Sequence, residues 1–195
     1  MIQLTDGDKI TEIAAHVKAI LSLVGEDPER EGLLDTPNRV ARMYTEIFSG
    51  LDKANEPKVT LFKNTEKYDE MICEFGIEFS SSCEHHLVPF VGKVHIGYIP
   101  AKQYVGLSKL ARIVDYFAHR PQVQERLTCQ IADWINKTMK PLGCIVVVEA
   151  EHMCMSTRGV KKPRHMTVTS ALRGAMRREA TAKEEFLSLL AATKR

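Results

Sequence analysis

Residues 73–100 read CEFGIEFSSSCEHHLVPFVGKVHIGYIP, a stretch that combines a period of two with the densest chemistry in the chain. Cys73, Phe75, Ile77 and Phe79 alternate with Glu74, Gly76, Glu78 and Ser80, as expected of a half-buried strand. Val94, Ile96 and Tyr98 continue the alternation in a second strand, which Pro100 ends.

Beyond it the spacing turns helical. Leu107, Leu110, Ala111, Val114 and Phe117 predict one helix. Val123, Leu127, Ile131, Trp134 and Ile135 predict another from about Pro121. Gly143 then precedes the β-branched run Ile145-Val146-Val147-Val148, residues 166–172 read as a fourth strand, and residues 178–192 look helical. The order strand, strand, helix, helix, strand, strand predicts an α+β domain, with helices against one face of an antiparallel sheet.

Upstream, Ile10, Ile13, Ala14, Val17, Ile20, Leu21 and Val24 form the apolar stripe of a helix that Gly25 ends. Thr36 and Pro37 make an N-cap and first-turn pair. A second stripe follows through Val40, Met43, Tyr44, Ile47 and Phe48 to Gly50, and residues 51–70 read as a polar connector. The expected organisation is a helical annex with connector over 1–70 and a sheet domain over 71–195.

With 195 residues, 44% of them hydrophobic, the chain is long enough to bury a core and too apolar for disorder. No apolar run reaches membrane-spanning length, and the first residues, MIQLTDGDKI, lack the pattern of a signal peptide. The expected location is cytoplasmic. Five cysteines, Cys73, Cys83, Cys129, Cys144 and Cys154, argue against a disulfide framework. A net charge of +2 excludes a general polyanion binder, yet residues 152–178 hold seven Lys or Arg and no acid. Such a zone suits a small polyanion, and it lacks the stacking aromatics of a nucleic-acid surface.

Cys83 and His86 have the gap that lets both reach one ion from a turn. His152 and Cys154 follow the buried strand and share a face if the chain stays extended. Two thiolates and an imidazole suit Zn2+. Three protein ligands leave a position for water, the catalytic arrangement. A fourth from His85 or His152 gives the structural one, and spacing alone leaves both open. Cys73 and Cys144 read as buried small hydrophobes, and nothing recommends Cys129 as a ligand. Gly106-Leu107-Ser108-Lys109-Leu110-Ala111-Arg112 opens a helix after a turn. Ser108 is placed to cap it, Lys109 and Arg112 project to one side, and Arg158 follows Cys154 by four residues. Together they suit a triphosphate near the metal, against the plainer reading of Arg112 meeting Asp115 or Tyr116.

Residues 81–100, GLSKLARIVDYFAHRPQVQERLT (106–128), HMCMSTRGV (152–160) and TPNRVARMY (36–44) resemble, in order, the signature segments of GTP cyclohydrolase I. The resemblance runs from about residue 10 to 192. It implies the tunnelling fold, a four-stranded antiparallel sheet with two helices on one face, here preceded by the helical annex. It also implies a homodecamer of two stacked pentameric rings with sites at subunit interfaces. The implied zinc ligands are Cys83, His86 and Cys154. Ser108, Lys109, Arg112 and Arg158 would contact the triphosphate of GTP, with Glu125 and Gln124 at the guanine edge. A zinc-activated water would attack C8, with His152 as proton donor and His85 assisting, giving formate and 7,8-dihydroneopterin triphosphate. Neither nucleic acid nor membrane is an expected partner. The rival readings are a nitrile-reducing deazaguanine enzyme of the same fold, which needs NADPH and a nucleophilic Cys, a zinc-stabilised nucleotide- or RNA-binding module, and an inactive regulatory homologue, which the presence of every expected ligand and catalytic position counters.

Overall fold

The computed structural model describes residues 5–193, which form two compact units dividing between Ser49 and Gly50. In the first unit, α1 (Asp6–Leu23) packs against α2 (Thr36–Ile47). A capping box starts α1: Thr5 Oγ1 accepts from the Asp8 amide while the Asp8 carboxylate accepts from the Thr5 amide. The start of α2 lies one residue earlier than the sequence suggests. Asp35 occupies the cap position without a side-chain bond, and Thr36 and Pro37 are already inside the first turn. The 3-10 turn Glu31–Leu33 brings the chain in pre-curled, so no extended residue is left for threonine to cap from.

The second unit contains, in order, β1 (Leu61–Lys63), β2 (Ile72–Cys83), β3 (Pro89–Ile99), β4 (Gln103–Val105), α3 (Leu107–Ala118), β5 (Pro121–Gln122), α4 (Gln124–Met139), β6 (Gly143–His152), α5 (Met153–Ser156), β7 (Met166–Gly174), α6 (Ala175–Arg178) and α7 (Ala180–Ala192). The main sheet has the order β5-β2-β3-β6-β7, antiparallel except for the two-residue edge strand β5. The polar connector contains structure of its own. Its β1 pairs with β4, and Glu56 accepts from the indole of Trp134, so residues 50–70 join the second unit rather than the annex.

Helices α3 and α4 lay Leu110, Ile113, Val114, Leu127, Ile131 and Ile135 on Val94, Ile96, Tyr98, Val146 and Val148, all buried. Each such side chain contributes about 1.5–3 kcal/mol through the area it removes from water. These four long strands with two helices on one face are the tunnelling fold expected from the resemblance. The opposite face is partly covered as well. Phe186 and Leu190 of α7 pack on Ile145, Val147, Met176 and Met71. Strand β6 is therefore apolar on both sides, which accounts for its unbroken Ile-Val-Val-Val run. Gly97 makes the close approach of α7 feasible, since a Cβ there meets Phe186 Cδ2 at 2.5 Å.

The alternation read along β2 breaks in the middle. A bulge between Glu74 and Ile77, with Gly76 at φ +75°, shifts the register by one residue. Ile77 and Phe79 face the α3/α4 core, whereas Cys73 and Phe75 face the α7 cluster. One strand thus serves both layers. The buried His95 holds the bulge by accepting from the Gly76 amide at Nδ1, 3.1 Å away.

Burial pushes the Cys144 thiol up to about 12, and burial aided by Glu185 pushes Cys73 up to about 11, so both behave as small apolar groups. No helix among the described residues is long and apolar enough to cross a membrane. Phe186→Ala is expected to cost about 3–5 kcal/mol in urea unfolding, because it empties the centre of the α7 layer. A loss below about 1 kcal/mol would show that α7 does not stabilise the sheet.

Candidate metal centre

Strand pairing brings two sulfurs together. The β2–β3 ladder ends at Ser82 opposite Pro89, and the chain turns back at once. Within the turn the Leu87 amide donates to the Cys83 carbonyl at 2.8 Å and the Cys83 amide to the Val88 carbonyl at 2.9 Å. Leu87 adopts φ +54° to complete it. Cys83 and His86 thereby share one tight turn. Across β3, Phe90 pairs with His152, so the end of β6 lies one strand away from that turn.

His152 keeps to the helix-facing side of β6 with Val146, Val148 and Ala150, but the strand stops there. Cys154 does not continue an extended face. It sits in the helical turn α5, which swings its sulfur towards Cys83. The two sulfurs and a ring nitrogen of His86 all lie within 4.8 Å of one another.

The donor set fits Zn2+. Ligands of a tetrahedral zinc at 2.0–2.3 Å stand about 3.3–3.8 Å apart, a small contraction of what is found. Burial and the neighbouring Cys83 push the Cys154 thiol up, a direction that a cation between the sulfurs reverses. Among the described residues, no fourth Cys, His or carboxylate joins the group. The two candidates for that place stand outside the group. His85 is exposed, with Nδ1 3.8 Å from Cys83 Sγ and Nε2 3.9 Å from Glu84 Oε1.

His152 stacks flat on Phe90, with centroids 4.7 Å apart and planes 1° from parallel. Its Nε2 lies 2.8 Å from Gln124 Oε1. The buried Gln124 uses its amide nitrogen on the Val148 carbonyl, the Thr167 carbonyl and Thr169 Oγ1, so its oxygen must face the imidazole. The neutral ring therefore carries its proton on Nε2 and leaves Nδ1 bare. Burial lowers the pKa of His152, with Glu125 acting in the opposite direction.

The other expected residues divide into two places. Glu125 is exposed at the start of α4 beside Gln124, and Arg158 Nη1 donates to His86 Nε2 at 2.6 Å, so both stand by the metal group. Ser108, Lys109 and Arg112 do not. The C-terminal end of α3 is the end near the metal, since Ser81 Oγ donates to the Ala118 carbonyl at 2.6 Å. Ser108 and Lys109 stand in the first turn of this 12-residue helix, about 15 Å along its axis from Ala118, and Arg112 stands at its middle, about 9 Å from Ala118. Ser108 is not its cap either: Gly106 occupies that position without a side-chain bond.

Phe90, the anchoring of Gln124, and a pairing of Glu84 with Arg126 are parts of the surroundings that sequence reading missed. Only Gln124 left a trace, as a polar residue three before Leu127 on the apolar stripe of α4. Two concavities of the chain, about 440 Å3 beside Cys129 and Arg173 and about 780 Å3 beside Asn64 and Lys102, include none of the metal-side residues.

The sequence model of the family described as GTP cyclohydrolase I matches residues 13–191. GTP cyclohydrolase 1 of Pelotomaculum thermopropionicum is 55% identical over 181 residues, covering 92% of this chain and 95% of that protein. The Carboxydothermus hydrogenoformans protein of the same name is 53% identical over 189 residues, covering 96% of each. Among solved structures, an archaeosine synthase QueF-Like in the apo form aligns with 53% of this chain and 93% of its own, at 15% identity and a TM-score of 0.45.

One equivalent of Zn2+ is expected to protect Cys83 and Cys154 together from alkylation, as mapped by peptide mass spectrometry, while the exposed Cys129 stays reactive. Protection of only one of the pair would refute a shared ion.

Proposed function

Since the chain belongs to the GTP cyclohydrolase I family, we propose that it opens the imidazole ring of the guanine of GTP by hydrolysis, with Zn2+ held by Cys83, His86 and Cys154. The products are formate and 7,8-dihydroneopterin triphosphate. The observation that carries this reading is the convergence of two sulfurs and an imidazole beside a second histidine of defined tautomer.

When bound, Zn2+ supplies a nucleophile for C8 at neutral pH by acidifying water. The protein supplies the rest. Gln124 holds Nε2–H of His152, so Nδ1 is the nitrogen at which a proton is gained and released. As imidazolium, His152 donates that proton to guanine N7, which makes C8 electrophilic. The carboxylate of Glu125, one residue from Gln124, accepts N1–H and the 2-amino group of guanine together. His85, against Cys83, is free to move protons during ring opening. Arg158, beside His86, takes the phosphates as they pass the metal edge.

We place the triphosphate site across two subunits. Ser108 and Lys109 lie about 15 Å along α3 from its metal-side end and Arg112 about 9 Å, which suits them to the phosphates of a GTP bound at a neighbour's metal. Placed on a neighbour, the N-terminal end of α3 supplies its amides and cations to the phosphates. The sheet supports such assembly: β7 has no further partner strand among the described residues, and β2 pairs on its outer side only through Ser82 and Cys83. Open edges are templates for pairing with another chain, and closure of five copies in a ring, two rings per decamer, fits them. Five free thiols suit a reducing, cytoplasmic location.

Purified protein with GTP is expected to give formate and, after oxidation, a fluorescent pterin, both abolished by a chelator and restored by Zn2+. Absence of formate from the metal-loaded protein would end the proposal. His152→Ala should lower kcat by about 10²–10⁴-fold while zinc and GTP binding persist, and turnover near that of the parent would remove it as the acid. Coassembled from unfolded mixtures, Cys154→Ser and Arg112→Ala subunits should regain activity that neither shows alone. Failure of well-mixed oligomers to do so would place the whole site in one chain.

A further inference from the structure

The turn that carries Cys83 and His86 is tied to a different element by side chains that the chemistry above leaves unused. Arg126 grips both oxygens of Glu84, Nη1 to Oε2 at 2.5 Å and Nη2 to Oε1 at 3.0 Å. The Glu84 amide donates to the Gln122 carbonyl at 2.9 Å, so the backbone of the same residue is also fixed. Arg126 stands in the first turn of α4, next to Glu125 and two residues after Gln124. The pair therefore joins the metal-side turn directly to the helix start that presents the guanine-side groups.

Stability does not explain the arrangement. The two side chains are 31% and 44% exposed, and ion pairs this accessible add little to folding. Geometry explains it better. A guanidinium fork on a carboxylate makes two parallel hydrogen bonds, which restrain rotation as well as distance. Both oxygens of Glu84 are engaged by Arg126, and Oε1 also lies 3.9 Å from His85 Nε2.

Resting on the hydrolase reading, we propose that Glu84 and Arg126 form a positioning clasp that sets the spacing between the metal turn and the guanine-binding start of α4. Neither residue touches the reacting atoms. Their effect passes through His86 and Cys83 on one side and Gln124 and Glu125 on the other. Loosening the clasp leaves the metal ligands and the guanine contacts in place but lets the nucleophile and C8 drift out of line, and displacements of about 1 Å are enough to slow such reactions severely.

The test is a double-mutant cycle on the zinc-loaded protein with Glu84→Gln, Arg126→Lys and the two combined. Each single change is expected to lower kcat about 10–100-fold. The KM for GTP and the zinc affinity, read by competition with a chelating dye, should stay within about threefold of the parent. The combined variant should lose no more than the worse single one, because both changes break the same contact. Unchanged kcat per bound zinc in the single variants would overturn the proposal. So would losses that multiply in the combined variant, or losses that follow zinc release. Parent protein that never turns over GTP would defeat the hydrolase reading itself, a result distinct from any pattern among the variants.

Discussion

The site depends on the register of β3 between β2 and β6. Cys83 and Cys154 are far apart in sequence, and neither has a sulfur partner nearby along the chain. They meet because Ser82 pairs with Pro89 while Phe90 pairs with His152, so both flanking strands end at the same end of β3. A slip of one residue in either ladder turns the ligating ends to opposite faces. The double burial of β6, under α3 and α4 on one side and α7 on the other, makes such a slip costly. Core packing that looks remote from the chemistry is therefore what holds the sulfurs at ligand distance.

Around that register the polar groups are specified in layers. Gln124 is committed to the backbone of β6 and β7 before it addresses His152, and His152 is pressed flat on Phe90. The imidazole therefore has one orientation and one neutral tautomer, which is what a group passing a single proton to a ring nitrogen needs. The metal turn is organised the same way, from its own backbone bonds outward to Glu84 and Arg126. By contrast, the start of α3 lies at the far end of that helix from the metal-side groups. On the proposed reading it serves a neighbouring subunit, and the open edges of β2 and β7 are where such an assembly would form.

Much of this was legible in the order of residues. The switch from a period of two to helical spacing, then to the apolar run of β6, carries the α+β order, and the gap between Cys83 and His86 with the distant Cys154 carries the group that comes together. Other parts were not legible, for physical reasons. The bulge at Gly76 keeps the same apolar letters while sending Cys73 and Phe75 to the opposite face from Ile77 and Phe79. The helical turn that delivers Cys154 follows a strand without a break in composition. The separation of Ser108, Lys109 and Arg112 from the metal follows from the direction of α3 along β2, which spacing within a motif does not express. The bond between Glu84 and Arg126 spans 42 positions, with nothing local to announce it.

Zinc K-edge X-ray absorption on the loaded protein addresses the central claim most directly. Two sulfur scatterers at about 2.3 Å, one imidazole nitrogen near 2.0 Å and one light oxygen scatterer are expected, with one sulfur lost in Cys154→Ser. A first shell filled by four protein donors, or one holding a single sulfur, would contradict a hydrolytic centre built by this fold.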